Sequence, residues 1–376
     1  MSDEMLVHGG RNKYLHIKNA GGKNWLIPSC CMKEALALYE PSSLKGKLLK
    51  RILPIFKNSK LLLQALNIKA DFWDIHPDFA ALTESVFRQK DLKYSFFFGT
   101  PGVHQKVTVQ VFDKNRILGY CKLSPKPEIT EAFYREKNCL EDLTNKQITN
   151  IPKCLFCGAY KEQGIFVQST TKSFSSHTYH DLRAEHLDFA VNLHKKTQLK
   201  MTFEETEYAQ RLREMCSDPP DGISRALSRD MLEEVISAVR NYLSKREDYS
   251  FYHGDFTPWN TYFTHNGLYV FDFEYAKRSY PPYLDLFHFF TQTELYQHKS
   301  TAEKIYNKFK KVFYTNEFAA VITDPEMYYI MYLLDIIGFY YKRDKGIRDE
   351  ETTKNQKIRC EVMLMCYDFI KTENKI

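Results

Sequence analysis

In 376 residues the chain carries 15 glycines, 14 prolines and nine cysteines. So little glycine and proline excludes a collagen-like or low-complexity chain, and an odd number of scattered cysteines argues against a disulfide framework. Long apolar runs are missing too. The longest, Met327 to Tyr341, is interrupted by Asp335 and is shorter than the roughly 20 residues a membrane-crossing helix needs, so it reads as a buried helix. Residues 1–24 mix charged and polar side chains without a continuous apolar core, so no secretory leader is expected there. A cytoplasmic location fits this composition best.

Charge of one sign is also lacking. Lys and Arg number 53 against 47 Asp and Glu, a formal net of +6. Residues 1–90 hold 14 basic and 8 acidic residues, so the rest of the chain balances to zero. That distribution excludes a nucleic-acid footprint over the whole protein and leaves only the N-terminal segment to attract an anionic partner.

What is present is core material: 27 Phe, 25 Tyr and a 43% hydrophobic content. A chain this long exceeds a single core of about 250–300 residues, so two domains are expected. Residues 1–90 read as a basic, partly helical N-terminal extension. Within it Leu48, Leu49, Ile52, Ile55, Phe56, Leu61, Leu62 and Leu66 recur at helical spacing, with Pro54 expected to break or kink the run. Residues 44–66 have the pattern of helices lying on a membrane surface, but packing against the rest of the protein is the simpler account.

Residues 91–172 read as a β-rich lobe. The spacing predicts strands over 94–98, 106–112 and 117–123, with Val107, Val109 and Val111 alternating with Thr108 and Gln110. A helix is expected from Glu131 to Leu143, then an apolar run from Gly164 to Gln168. Residues 173–376 read as helical, with helices over 182–193, 203–215, 229–243, 301–313, 326–341 and 355–370 and a strand-and-loop block over 251–290. The fold class is therefore α+β, with a β-rich part followed by a helical part.

The most informative stretch is His253-Gly254-Asp255-Phe256-Thr257-Pro258-Trp259-Asn260, followed by Asp272-Phe273-Glu274. Phosphoryl transfer needs a carboxylate to take or orient the acceptor proton, and oxygen ligands for the Mg²⁺ that bridges the phosphates. Asp255 answers the first need, Asn260 and Asp272 the second. An ordinary turn with a strand-end charge is the competing account, but it leaves polar side chains among apolar neighbours unexplained.

These residues resemble the catalytic and metal-binding loops of the aminoglycoside phosphotransferase and choline kinase family, a phosphotransferase group with a two-lobed protein-kinase-like fold. The resemblance covers roughly residues 94–370 and leaves the first 90 without a counterpart. It implies an ATP or GTP donor with Mg²⁺, Asp255 as catalytic base, Asn260 and Asp272 as metal ligands, and His253 as a residue that shapes the loop. It also implies that Lys122 contacts the nucleotide phosphates and pairs with a helix glutamate, Glu136 in preference to Glu131. Gly99 and Gly102 would form a turn over the phosphates, although a plain hairpin turn has the same signature. Residues 166–170, with Ser169 and Thr170, fall at the hinge whose backbone meets the base. Asp285 matches an acid that braces the loop, and Glu274 is a supporting candidate.

Three departures stand out. Pro101 removes a backbone donor from the turn, where His104, Gln105 and Lys106 offer polar contacts instead. Glu274 stands where protein kinases carry glycine. No Ala-Pro-Glu follows, which argues against a peptide-phosphorylating enzyme. Cys154 and Cys157 lack a second closely spaced pair to complete a zinc site.

The expected function is transfer of a γ-phosphate to a small-molecule hydroxyl, with a sugar or amino sugar preferred, for instance in a glycan precursor. Tyr329, Tyr332, Tyr340 and Tyr341 are candidates to stack on it, though helical spacing equally suits core residues. A non-catalytic nucleotide-binding module with an N-terminal docking arm and an atypical protein kinase are the alternatives.

Overall fold

A computed structural model describes residues 4–19, 21–41, 43–99, 105–220, 227–344 and 350–373. The chain forms two compact units. The first comprises Met1–Thr144, Thr149–His177 and Phe263–Glu274, the second Asn145–Ile148, Thr178–Tyr262 and Tyr275–Ile376.

The first unit is built on eight antiparallel strands: β1 (Leu6–Lys18), β2 (Asn24–Pro28), β3 (Lys69–Ile75), β4 (Lys93–Phe97), β5 (Val107–Phe112), β6 (Ile117–Ser124), β7 (Cys154–Tyr160) and β8 (Gln163–Ser169). Their order across the sheet is β3-β1-β2-β4-β5-β6-β8-β7. Alternation sorts side chains to two faces. Tyr14, Leu26, Val107, Val109 and Val111 enter one core with Phe79, while Leu15, Ile17, Trp25 and Ile27 enter another with Met32, Ala35, Leu53 and Leu63. These partners come from helices α1 (Met32–Ala35), α2 (Leu44–Phe56), α3 (Lys60–Ala65) and α4 (Pro77–Phe87).

The first 90 residues are therefore not an extension set apart from the β-rich lobe. They supply three of its strands, and their helices cover both sheet faces, because an eight-stranded sheet exposes apolar side chains on each side. The expectation that residues 44–66 simply pack is also half right. Leu53 and Leu63 are buried, whereas Leu44, Leu48, Ile55 and Leu61 are 84%, 59%, 75% and 81% exposed. Pro54 sits in the last turn of α2, which ends two residues later at Phe56.

Helix α5 (Pro127–Asn145) starts four residues before the expected Glu131, with Pro127 as its first residue. Proline suits that place, since a first-turn N–H has no helical partner to lose. Its Phe133 stacks on Phe166 of β8 at 6.1 Å, fixing the helix against the sheet. A hairpin of Thr261–Thr264 and Gly267–Val270 brings residues 263–274 back to this unit, where the Val270 N–H donates to the Asn150 carbonyl at 3.0 Å.

The second unit is helical: α6 (Ala184–Thr197), α7 (Glu207–Ser217), α8 (Arg229–Leu243), α9 (Leu284–Tyr296), α10 (Ala302–Phe313), α11 (Asn316–Ala319), α12 (Pro325–Asp344) and α13 (Glu350–Thr372). A small sheet places Asp248–Tyr252 between Leu199–Lys200 and Lys277–Tyr280. Helix α9 overlaps the block expected to be strands and loops. Every residue from Leu284 to Leu295 is buried, so it has no polar face and hence no helical period to detect. The apolar run from Met327 does form a helix, α12, whose buried Asp335 accepts from Arg211 Nε at 3.2 Å and from the Tyr280 hydroxyl at 3.0 Å.

Candidate functional site

The first unit gathers two lysines and three carboxylates. Lys122 on β6 is 5% exposed and donates to both oxygens of Glu136 on α5, at 2.9 and 2.8 Å. The same ammonium reaches Asp272 Oδ1 at 2.7 Å. Lys106, just before β5, donates to Glu274 Oε2 at 2.6 Å and lies 3.9 Å from Asp272 Oδ1. Burial acts to depress the Lys122 ammonium, but Asp272 and then Glu136 outweigh it and hold its pKa above the ordinary value. Lys106 is raised for the same reason, by Asp272 and Glu274 against burial. Glu136 is fully buried, and burial raises its carboxyl against the pull of Lys122.

Helix phase decides which glutamate meets Lys122. Glu136 faces the sheet, whereas Glu131 is exposed and sits 3.8 Å from Arg135 on the solvent side. Asp272 has φ +71°, a left-handed backbone uncommon for a residue other than glycine. Such conformations concentrate at sites where function rather than stability dictates geometry.

Gly99 also has φ +75°, and a Cβ there would stand 2.4 Å from the Lys106 carbonyl oxygen. Gln105 Nε2 donates to the Phe98 carbonyl at 2.7 Å, closing the base of this turn. Gly102, with Thr100, Pro101 and His104, lies outside the described residues. At the end of β8, Ser169 Oγ accepts from the Lys153 N–H at 2.9 Å and Thr170 Oγ1 from the Lys172 N–H at 3.2 Å. Both hydroxyls thus serve local chain contacts, and the Ser169 backbone is engaged as well: its N–H donates to the Lys153 carbonyl at 2.9 Å and its carbonyl accepts from the Tyr269 hydroxyl at 3.4 Å.

The second unit holds the other group. Gly254 has φ +81°, and a Cβ there would lie 2.6 Å from the Tyr275 carbonyl oxygen, so the loop tolerates only glycine at that point. The buried Asp285 accepts the His253 N–H at 2.8 Å through Oδ2 and the Gly254 N–H at 3.1 Å through Oδ1. Burial pushes its carboxyl up to about 7, against the stabilising pull of those two donors. His253 Nδ1 accepts from the Asp255 N–H at 3.1 Å, so the imidazole shapes the turn.

Asp255 itself is held at both oxygens. Asn260 Nδ2 donates to Asp255 Oδ2 at 2.8 Å and to its carbonyl at 2.9 Å, and His288 Nε2 lies 3.2 Å from Oδ1. The Asn260 amide therefore spends its nitrogen on Asp255 and keeps its Oδ1 free of hydrogen bonds. An amide oxygen of this kind is a hard donor, the type that divalent cations such as Mg²⁺ accept. Among the described residues no group of three or more His, Cys, Asp or Glu forms a metal site by itself.

Sequence reasoning did not single out Lys106 as part of the charge cluster or His288 as a partner of Asp255. His288 stands three residues after Asp285, so the two share a helix face once α9 is known. Arg359 on α13 was also missed. It is 1% exposed, its Nη1 donates to Gln356 Oε1 at 2.9 Å, and its guanidinium lies 4.6 Å from the Tyr340 ring centre. Tyr296 also approaches the guanidinium, but among the described residues its Nε and Nη2 make no hydrogen bond of normal geometry, and neither do His288 Nδ1 and the Tyr332 hydroxyl. Gln292 joins two of these side chains, standing 3.3 Å from both His288 Nε2 and the Tyr340 hydroxyl. Tyr329 and Tyr332 are buried core residues.

A strand lysine paired with a helix glutamate, an Asp and Asn five apart in a glycine-bearing loop, and a later aspartate are the features that the resemblance to a protein-kinase-like phosphotransferase fold implies. Residues 178–301, about a third of the chain, match the model of the phosphotransferase enzyme family. That segment contains the Asp255 loop, Asp272 and Asp285. No curated protein sequence matches the chain. Among solved structures, the chain is similar to the choline kinase LicA from Streptococcus pneumoniae, at 15% identity over 78% of this chain and 98% of that one, with a TM-score of 0.49. The aminoglycoside phosphotransferase APH(3'')-Id from Streptomyces rimosus gives 16%, 68%, 97% and 0.41 in the same order. Amicoumacin kinase hAmiN, solved with AMP-PNP, Ca²⁺ and its substrate, gives 10%, 77%, 94% and 0.47. All three identities are low and all three TM-scores fall under 0.5, so the functional reading rests on this chain's own residues.

Proposed function

We propose that this protein is a small-molecule kinase that moves the γ-phosphate of ATP or GTP to an acceptor hydroxyl. The observation that carries this reading is the Lys122 ammonium, buried and held between Glu136 and Asp272. A buried cation on two carboxylates is costly unless it serves a fixed position, and a nucleotide phosphate beside it supplies that purpose. Lys106 provides a second cation for the phosphates, in a turn where Pro101 cannot donate a backbone N–H. The Gly99 turn lies over the phosphates, and the end of β8 at Ser169 and Thr170 lies beside the base.

Asn260 and Asp272 are each assigned, from the family resemblance, as an oxygen ligand for Mg²⁺, which would neutralise charge on the donor's phosphates. Asp255 takes the acceptor hydroxyl proton as the oxygen forms its bond to the γ-phosphorus. The bond from that phosphorus to the bridging oxygen breaks, and a nucleoside diphosphate leaves. Asn260 and His288 fix the carboxylate's orientation, while His253 and Asp285 hold its loop, so these residues position the base. Glu274 keeps Lys106 in place.

The acceptor expected from the sequence is a sugar or amino sugar. Arg359 favours one with an acidic substituent, since its buried guanidinium has no carboxylate partner among the described residues and stands next to the tyrosines that reach towards His288.

The test is thermal stabilisation by ATP and by GTP, with and without Mg²⁺, alongside phosphate transfer to a panel of sugars and sugar acids. A magnesium-dependent shift that Asp272→Ala loses, with transfer that Asp255→Ala abolishes, is the expected result. Nucleotide binding without transfer to any acceptor, unaltered by Asp255→Asn, would instead mark a non-catalytic nucleotide-binding module. Transfer to generic proteins would mark a protein kinase.

A further inference from the structure

Helix α2 carries its apolar residues on the side opposite to the one it buries. Gly46 and Leu53 are its buried residues. At about 100° per residue, Leu44, Leu48 and Ile55 fall in one narrow stripe on the far side of the helix from that pair. All three are more than half exposed. Lys45, Lys47 and Arg51, also exposed, flank the stripe. Helix α3 continues the pattern, burying Leu63 while Leu61 is 81% exposed.

The pair is anchored, so this face is a built feature of the unit. Leu53 and Leu63 enter the core beneath the sheet, and Lys57, between the helices, donates to the Ser29 carbonyl at 2.8 Å while its own carbonyl accepts from Lys13. Ser43 and Ser59 cap the two helices. One side of the pair is thus bound to the fold and the other presents leucine and isoleucine to solvent.

Charge identifies the occupant. From Leu44 to Leu66 the chain carries no Asp or Glu, and of its basic residues Lys45, Lys47, Arg51 and Lys60 are exposed while Lys57 is spent on the fold side. A second copy docking face to face would set these cations against their equivalents, which is repulsive. An apolar stripe bordered by cations matches a surface with an anionic layer outside and a hydrocarbon layer just below.

We infer that the α2–α3 face seats the protein on an anionic lipid bilayer, with Leu44, Leu48, Ile55 and Leu61 entering the headgroup boundary and the basic side chains meeting lipid phosphates. It is a peripheral contact: among the described residues no helix is long and apolar enough to cross a membrane. The kinase reading implies nothing about this face, so either conclusion can fail without the other.

The experiment is co-sedimentation of the full chain with vesicles of phosphatidylcholine alone and of phosphatidylcholine with phosphatidylglycerol. Binding to the mixed vesicles, weakened by salt and absent on the neutral ones, is expected. Leu48→Ser with Ile55→Ser, and separately Lys47→Glu with Arg51→Glu, each weaken it about tenfold or more, while an unchanged melting transition shows that the variants fold. Equal binding to both vesicle types, no binding to either, or variants that bind like the wild type would overturn the inference. A concentration-dependent dimer that Leu48→Ser dissociates would reassign the face to a second copy.

Discussion

Lys122 and Asp272 are 150 residues apart in the chain and 2.7 Å apart in the structure. Glu136 lies on the other side of the same ammonium, so one cation is shared by a helix and by the hairpin segment that returns to the sheet. The pair is buried, and disturbing it affects folding and chemistry together.

Lys122→Met leaves Glu136 buried without its partner, and breaking a buried pair from one side costs about 3–5 kcal/mol. Turnover should fall by about 100-fold or more. Adding Glu136→Gln removes the stranded charge, so the double variant should recover much of the lost stability and none of the activity. Urea denaturation alongside a phosphate-transfer assay separates the two effects.

Asp285 gives the protein a signature in pH. Its carboxyl is raised to about 7 in the folded chain, from an ordinary value near 4. Between those values the native state binds the more protons, so this group's contribution to stability falls as pH rises through that window. Asp285→Asn cannot titrate. The melting temperature of the wild type minus that of the variant should therefore be largest near pH 4, fall steadily as pH rises and level off above pH 7, and a constant difference would remove Asp285 from this account.

Lys106 is partly solvent-accessible, and its pair with Glu274 is less buried than the Lys122 pair. Lys106→Gln should leave the unfolding free energy within about 1 kcal/mol of the wild type. If the lysine meets nucleotide phosphate, KM for the nucleotide should rise about tenfold with kcat changed less. Kinetics at saturating acceptor distinguish this from a general loss.

Gly254→Ala forces a Cβ to within 2.6 Å of the Tyr275 carbonyl oxygen at a left-handed backbone position. A cost of about 1–3 kcal/mol and a displaced Asp255 are expected. The measurable outcome is a kcat loss of about tenfold or more at temperatures where the variant is still folded.

For the acceptor, Arg359→Met is the informative change. With glucose and glucuronate as matched probes, the variant should lose about tenfold in kcat/KM for the acid and little for the neutral sugar. An equal loss for both would make Arg359 a core residue only.

The loop contacts were legible in sequence because they are local. Asp255 and Asn260 are five residues apart, so a single turn sets their relation, whereas Lys122 was singled out by the family resemblance, strand residues of its kind being ordinarily solvent-facing. Helices with one polar face, such as α8, showed their period, and the spacing gave its limits of 229 and 243. Helix α9 is buried all round and gave none, which hid His288 even though Asp285 was recognised. The N-terminal strands were missed because β1 and β2 are recognisable only by the sheet they join.

The sequence by itself determined the spacing of the Asp255 loop and the list of polar residues from which the proposed reaction is built. Tertiary structure decided which of these meet: the choice of Glu136 over Glu131 and the addition of Lys106 to the charge cluster. It also decided which face of α2 is left uncovered. Local spacing is set by the backbone's few allowed conformations, whereas these pairings depend on how sheet and helices pack, an outcome shared among residues far apart in the chain.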